Sequence, residues 1–290
     1  MESHYVINRA LLFGKSQCAQ GGSESALLDA QLLLQAVLEC DRQYLYMHPQ
    51  QVLSEQQWQA YRALIQRRRD GHPIAHILGQ REFWSLSLEV NPSTLIPRPD
   101  TEILVEQALA LKLPAEARVL ELGTGTGAIS LALASERPDW HICALDLSAD
   151  AVALAGRNRD RHGLTARVEI MQSNWFDALT VDGTDAHRFD LIISNPPYIA
   201  ADDSHLEQGD VRFEPRSALV AEEQGYADLR HIIEHGLAYL RPHGWLMLEH
   251  GYAQAAKVAE IFSETGYEEV NTAADYANLD RVTFAQRTHG

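Results

Sequence analysis

The run Phe189-Asp190-Leu191-Ile192-Ile193-Ser194-Asn195-Pro196-Pro197-Tyr198 carries an apolar strand into a polar tetrapeptide that cannot continue a sheet. Two consecutive prolines fix φ near about −65° and supply no N–H, so the turn is rigid and its carbonyls are free to face a ligand. Asn195 adds an amide with an acceptor and a donor, and Tyr198 adds a flat face with a hydroxyl. A planar amino group, such as a carboxamide or the exocyclic amine of adenine, would hydrogen-bond to Asn195 Oδ1 and the Pro196 carbonyl while lying against Tyr198. Its nitrogen would then be presented at a fixed angle. The plain alternative is an Asn-Pro turn carrying a structural tyrosine.

A second motif lies upstream. Ala117-Arg118-Val119-Leu120-Glu121-Leu122 reads as a buried strand running into Gly123-Thr124-Gly125-Thr126-Gly127, with a helical pattern from Ala128 to Ser135. A strand, glycine loop and helix in this order lets backbone N–H groups approach a ligand closely, and the helix start favours an anionic group. The loop alone would suit a nicotinamide cofactor equally well. Asp146 closes the next strand, at about the ~20-residue offset of a carboxylate that binds ribose hydroxyls; the other reading is a helix N-cap, since Ser148 and Asp150 precede an Ala-rich helix. His205 and His250 are candidate bases, though a lone histidine is more often a satisfied structural residue. His231 and His235 share a helix face at i and i+4 but lack an intervening Glu or a third ligand, so no metal is expected.

These residues need elements to hold them. Residues 1–80 read almost wholly helical, with an apolar stripe from Ala26 through Leu38 and a helix capped by Ser54 that ends in Arg67-Arg68-Arg69. Residues 81–100 read as a hairpin and Pro-marked linker. From residue 101 to 290, helices and strands alternate: a helix at 104–111, strand 118–122, helix 129–135, strand 142–146, helix 149–162, strands 168–171 and 190–194, helix 229–240, strand 245–249, helix 253–265, and two late strands at 268–272 and 281–285. This alternation predicts an α/β doubly wound sheet whose ligands sit outside the strand C-terminal ends. Gly123, Asp146, Asn174 and Asn195 all fall there.

The formal net charge of −16 over 290 residues argues against a general nucleic-acid binder, which needs a basic face to neutralise phosphates. Cys18, Cys40 and Cys143 have no ligand spacing and read as reduced structural thiols. The N-terminus lacks a basic region followed by an apolar core and a small-residue cleavage site, and no apolar run reaches ~18 residues. A cytoplasmic protein without a membrane partner is expected.

Taken together, Ile96-Pro97-Arg98-Pro99-Asp100-Thr101-Glu102, the loop at 120–127, Ser173-Asn174-Trp175-Phe176, Asn195 to Tyr198, and Phe213-Glu214-Pro215-Arg216-Ser217-Ala218-Leu219 resemble, in order, the HemK/PrmC family of release factor glutamine methyltransferases. Gly71 to Gly79 and Arg81 to Trp84 extend the resemblance into the N-terminal part. It implies a class I S-adenosylmethionine-dependent methyltransferase fold with a Rossmann-like doubly wound sheet ending on an antiparallel strand pair, and a small N-terminal helical domain that grips the partner. It places Gly123, Thr124, Gly125, Thr126 and Gly127 under the methionine part of S-adenosylmethionine, Asp146 on the ribose, and Asn174 with Trp175 around the adenine. The family more often has an acidic residue at position 174. Glu121 would act on the methionine ammonium or only brace the loop, and Asn195, Pro196, Pro197 and Tyr198 would hold the reacting amide nitrogen. Arg98 and the loop at 213–216 would shape the mouth of the site or form a structural salt bridge. The implied partner is a peptide-chain release factor methylated on the glutamine of its Gly-Gly-Gln motif by a monomeric enzyme. An adenine N6-methyltransferase on DNA or RNA is the alternative, disfavoured by charge. A catalytically silent binding protein is a third, disfavoured by the intact motifs.

Overall fold

The computed structural model describes residues 5–180 and 188–287, which divide into two compact units. The first holds the chain up to Gln80 together with Ser204–Phe213. Its helices are α1 (Ile7–Gln20), α2 (Ala26–Leu38), α3 (Arg42–Met47), α4 (Glu55–Arg69) and α5 (Ile74–Leu78). Helix α4 starts on a capping box, in which Ser54 Oγ accepts from Gln57 N and the Gln57 side chain accepts from Ser54 N. Tyr61 is fully buried among Leu33, Leu34 and Ile65 and donates to the Ala30 carbonyl at 3.2 Å. Arg68 reaches Asp29 at 2.6 Å and Asp210 at 3.2 Å. Charged pairing thus brings Ser204–Phe213, which sequence periodicity leaves within the 101–290 region, into the helical unit.

The second unit opens with the hairpin strands β1 (Gln80–Phe83) and β2 (Leu86–Glu89). There follow α6 (Glu102–Ala110), β3 (Arg118–Leu122), α7 (Ala128–Glu136), β4 (His141–Asp146), α8 (Ala149–Arg161), β5 (Val168–Gln172) and β6 (Phe189–Ser194). After the short turn α9 (Glu222–Gly225) come α10 (Ala227–Gly236), β7 (Leu240–Glu249), α11 (Ala255–Thr265), β8 (Glu268–Ala274) and β9 (Asp280–Gln286). The sheet runs β5-β4-β3-β6-β7-β9-β8, parallel from β5 to β7, with β9 antiparallel to both neighbours. This is the class I methyltransferase arrangement that the resemblance implies.

Both faces of the sheet are covered, which explains why Leu191, Ile192 and Ile193 of β6 are apolar at consecutive positions. Val119, Leu191, Ile193 and Met247 pack with Leu104, Leu131 and Leu133 of α6 and α7 on one face. Their strand neighbours Leu120, Leu122, Ile192, Leu246 and Leu248 pack with Ile232, Val258 and Phe262 of α10 and α11 on the other. The acid of the same strand, Asp190, sits at the strand base and is paired with Arg241 at 2.9 Å and Arg118 N at 2.8 Å. The helix expected over 229–240 stops at Gly236, and a tight turn at Leu237–Tyr239 leads into β7. That strand begins five residues early at Leu240, pairs with Phe189, and bulges before Trp245, where Pro242 cannot donate to the ladder.

Candidate active site

β3 has β4 on one side and β6 on the other, so the connections leaving its carboxyl end part company there and open a crevice. A cavity of about 300 Å³ occupies it, lined from the loops after β3, β4, β5 and β6. Gly123 and Gly125 on its floor have φ of 71° and 56°, which side-chain-bearing residues rarely adopt. A Cβ at Gly123 would also project between the Trp175 ring at 3.9 Å and the Asn195 carbonyl at 4.0 Å. Thr124 and Thr126 line the cavity with them, whereas Gly127 lies off its surface as the residue preceding α7.

Glu121 is 1% exposed, and its Oε2 accepts from the Thr124 hydroxyl at 2.6 Å and from both the N–H and the hydroxyl of Ser130. Burial pushes its carboxyl up to about 7, against the pull of those donors. It therefore braces the glycine loop and also borders the cavity. Asp146 lines the cavity at the end of β4 and accepts from Gly125 N at 2.8 Å and Ser148 N at 2.9 Å. The N-cap of α8 is Ser148, whose hydroxyl accepts from Ala151 N. Asp146 instead ties two loops together, and burial raises its carboxyl above the ordinary range.

After β5, the Ser173 hydroxyl donates to the Trp175 carbonyl at 2.8 Å and accepts from Ala178 N at 3.0 Å. This tight turn holds Trp175 at φ 46°, a costly conformation for a large side chain, with its ring on the cavity wall. Asn174 lines the same wall and donates to Asp177 at 3.2 Å.

At the end of β6 the Asn195 amide donates through Nδ2 to Thr101 Oγ1 at 3.2 Å, and no other described side chain takes its oxygen. Asn195 and Pro197 line the cavity; Pro196 and Tyr198 do not. The flat face expected of Tyr198 is turned elsewhere: its ring packs with the α10–α11 core and its hydroxyl donates to Glu249 Oε1 at 3.2 Å. Arg98, on the rim, pairs with Glu214 at 2.5 Å, and Glu214 also accepts from Ile96 N at 3.0 Å. The buried salt bridge and the position on the wall are both present.

Two acids escaped the sequence reading. Asp228 lines the cavity from the first turn of α10, and burial raises its carboxyl. Glu249 closes β7, 2% exposed, and burial takes it up to about 7. A lone acid ending the apolar run Trp245-Leu246-Met247-Leu248 was the available signal. His250 is a buried structural residue, bonded to Thr283 at 2.8 Å and Gly251 O at 2.9 Å. His231 and His235 stack at 4.3 Å, and no metal-binding cluster of three His, Cys, Asp or Glu occurs among the described residues.

Comparison with known proteins agrees with this architecture. A model of the PrmC N-terminal domain matches residues 9–79, and a model of the methyltransferase small domain matches residues 99–213. The release factor glutamine methyltransferase of Shewanella oneidensis is 52% identical over 286 residues, covering 99% of this chain and 98% of that one. The protein of the same name from Escherichia coli (strain K12) is also 52% identical, over 91% of this chain and 93% of its own. The crystal structure of a methyltransferase from Pyrococcus furiosus superposes with a TM-score of 0.52 at 19% identity, covering 70% of this chain and 90% of that chain, a likeness of fold alone. Two relatives matched at 52% identity over nearly their whole length leave one conclusion: the chain belongs to the release factor glutamine methyltransferase family.

Proposed function

We propose that the cavity binds S-adenosylmethionine and that the enzyme transfers its methyl group to the side-chain amide nitrogen of the glutamine in the Gly-Gly-Gln motif of peptide-chain release factors, a modification of translation termination. The observation that carries this reading is the Asn195 amide, held through its nitrogen so that its oxygen is left to accept from a substrate amide. The fit of the cofactor rests on the residues present. Gly123 to Thr126 leave backbone at the cavity floor for the methionine part, with Glu121 beside its ammonium. Asp146 has two anchoring N–H bonds and remaining lone pairs for ribose hydroxyls. Asn174 and the Trp175 ring offer an amide and a wall to the adenine.

When bound, S-adenosylmethionine supplies a methyl carbon on a positively charged sulfur. An amide nitrogen is a poor nucleophile because its lone pair is delocalised into the carbonyl. Asn195 Oδ1 accepts from one of its N–H bonds, favours pyramidalisation and aims the lone pair at the methyl; the Pro196 carbonyl expected to take the other lies off the cavity wall. The methyl would pass to the nitrogen as its bond to sulfur is given up, and the amide proton would leave to water. Positioning is the main catalytic device. Tyr198 serves this from behind, by fixing the turn rather than by contact with the amide.

The helical unit is read as the grip on the release factor. Its exposed Tyr46 and Met47, at 60% and 62% exposure, offer apolar contact. Cys18, Cys40 and Cys143 are free thiols, which suits the reducing cytoplasm where termination takes place; no described helix is long and apolar enough to cross a membrane. Asn195→Ala tests the reading. Cofactor affinity should persist while turnover on a release factor falls by on the order of ~10² or more, because an unheld nucleophile forfeits its orientation. Methylation at the parental rate would make the tetrapeptide a structural turn.

A further inference from the structure

Three acids line the cavity, and the protein itself supplies donors to two of them: Thr124 and Ser130 to Glu121, Gly125 N and Ser148 N to Asp146. The third, Asp228, has none. It is partly buried, no hydrogen bond or ion pair takes its carboxyl among the described residues, and the charge it faces is another acid, Glu222. A carboxylate on a cavity wall offers lone pairs on both oxygens. Holding it there with no donor is unfavourable unless a ligand brings one.

The backbone fixes where this carboxyl stands. Ahead of α10, Glu223, Gln224 and Gly225 follow one another at φ of 52°, 57° and 91°, a left-handed run that residues with a side chain adopt only under strain. The third position requires glycine, because a Cβ there would collide with the Tyr198 carbonyl oxygen. Gln254 closes the join, donating through Nε2 to the Tyr198 carbonyl at 3.2 Å and to the Gly225 carbonyl at 3.4 Å. The start of α10 is thereby fastened to the end of the Asn195–Tyr198 turn. Three residues beyond Asp228, and so on the same face of the helix, the His231 ring centre lies 6.4 Å from those of Trp175 and Phe176. The face that carries Asp228 is turned to the Trp175 wall.

We infer that Asp228 is a specificity-determining residue for the cofactor: its carboxylate accepts a hydrogen bond from the exocyclic amine of the adenine and so selects an adenosyl group over purine nucleosides that lack this amine. The inference rests on the reading that the cavity binds S-adenosylmethionine with its adenine at Trp175. An adenine amine carries two N–H bonds. Asn174 donates its nitrogen to Asp177 and keeps its oxygen for one of them. Enclosure removes water from the other, which then needs an acceptor of its own. Asp228 supplies it from the α10 side.

The test is calorimetry with S-adenosylhomocysteine and with its analogue lacking the 6-amino group, at about pH 8, where a carboxyl raised by burial is ionised. The parent should bind the amino form about ten-fold or more tightly than the analogue, as a hydrogen bond to a charged acceptor gives. Asp228→Ala should bring the two ligands to within about three-fold of each other by weakening the amino form. Asp228→Asn keeps the shape and an uncharged acceptor and should leave an intermediate preference; it decides alone if the alanine variant does not fold. A parent without the preference, a preference undiminished in the variants, or an equal loss of both ligands, as a wall residue of purely structural role would give, overturns the inference. A parent that binds neither ligand would instead remove the cofactor reading on which it rests, so the two failures are distinct.

Discussion

Replacing Glu121 by glutamine isolates the energetic cost of keeping a carboxyl under the glycine loop. Its ordinary value near 4.5 is raised by burial to about 7, so the folded state holds a proton that the unfolded chain gives up. The stabilisation is fully present below about pH 4.5 and is lost as pH rises through about 7. At about 1.4 kcal/mol per pKa unit, integration between about pH 5 and pH 8 gives a loss of about 2.5 kcal/mol from this group. Glu121→Gln cannot titrate, so its stability relative to the parent should move in its favour by about that amount over the same interval, whatever the constant offset from the changed hydrogen bonds. Urea denaturation followed by tryptophan fluorescence reads it well, because Trp84, Trp140, Trp175 and Trp245 belong to the methyltransferase unit and only Trp58 to the other. A parent-to-variant difference constant to within about 0.5 kcal/mol across that range would refute the reasoning, since it would mean that Glu121 titrates alike folded and unfolded.

Asp146→Ala should weaken S-adenosylmethionine binding, since the ribose loses a charged acceptor and Gly125 its anchor; calorimetry showing unchanged affinity would remove Asp146 from the site. Tyr46→Ser with Met47→Ser should raise the KM for an intact release factor far more than for a short Gly-Gly-Gln peptide, and equal effects on both would deny the helical unit its grip. Arg98→Met removes the cation 2.5 Å from the buried Glu214 carboxylate and should lower stability, seen as a lower urea midpoint. An unchanged midpoint would show that the Arg98 pairing adds nothing to stability.

The sheet was legible because its strands are buried on both faces: Val119, Leu120 and Leu122 flank a single acid, and Leu191 to Ile193 is a continuous apolar run, each followed by glycines or prolines where the chain turns. The loop and the Asn195 turn were visible for the same reason, as polar or strained residues placed where a strand must stop. Side-chain direction was not. Tyr198 was expected on the substrate, but its ring finds the core between β6 and α10 and its hydroxyl finds Glu249, 51 positions away. Glu249 itself is assembled with Thr101, Tyr198 and Arg281 from distant parts of the chain, and no local pattern joins them. Long-range pairing likewise drew Ser204–Phe213 to Arg68, across 142 positions, while the short helical turns in that stretch are too brief to show a period.

The central claim is the identity of the acceptor nitrogen. Purified release factor, DNA and RNA would each be incubated with the enzyme and labelled S-adenosylmethionine, and the products mapped by mass spectrometry. One added methyl is expected on the glutamine of the Gly-Gly-Gln motif, lost when that glutamine is replaced by alanine, and none on nucleic-acid adenine. Label on adenine with the release factor unmodified would contradict it.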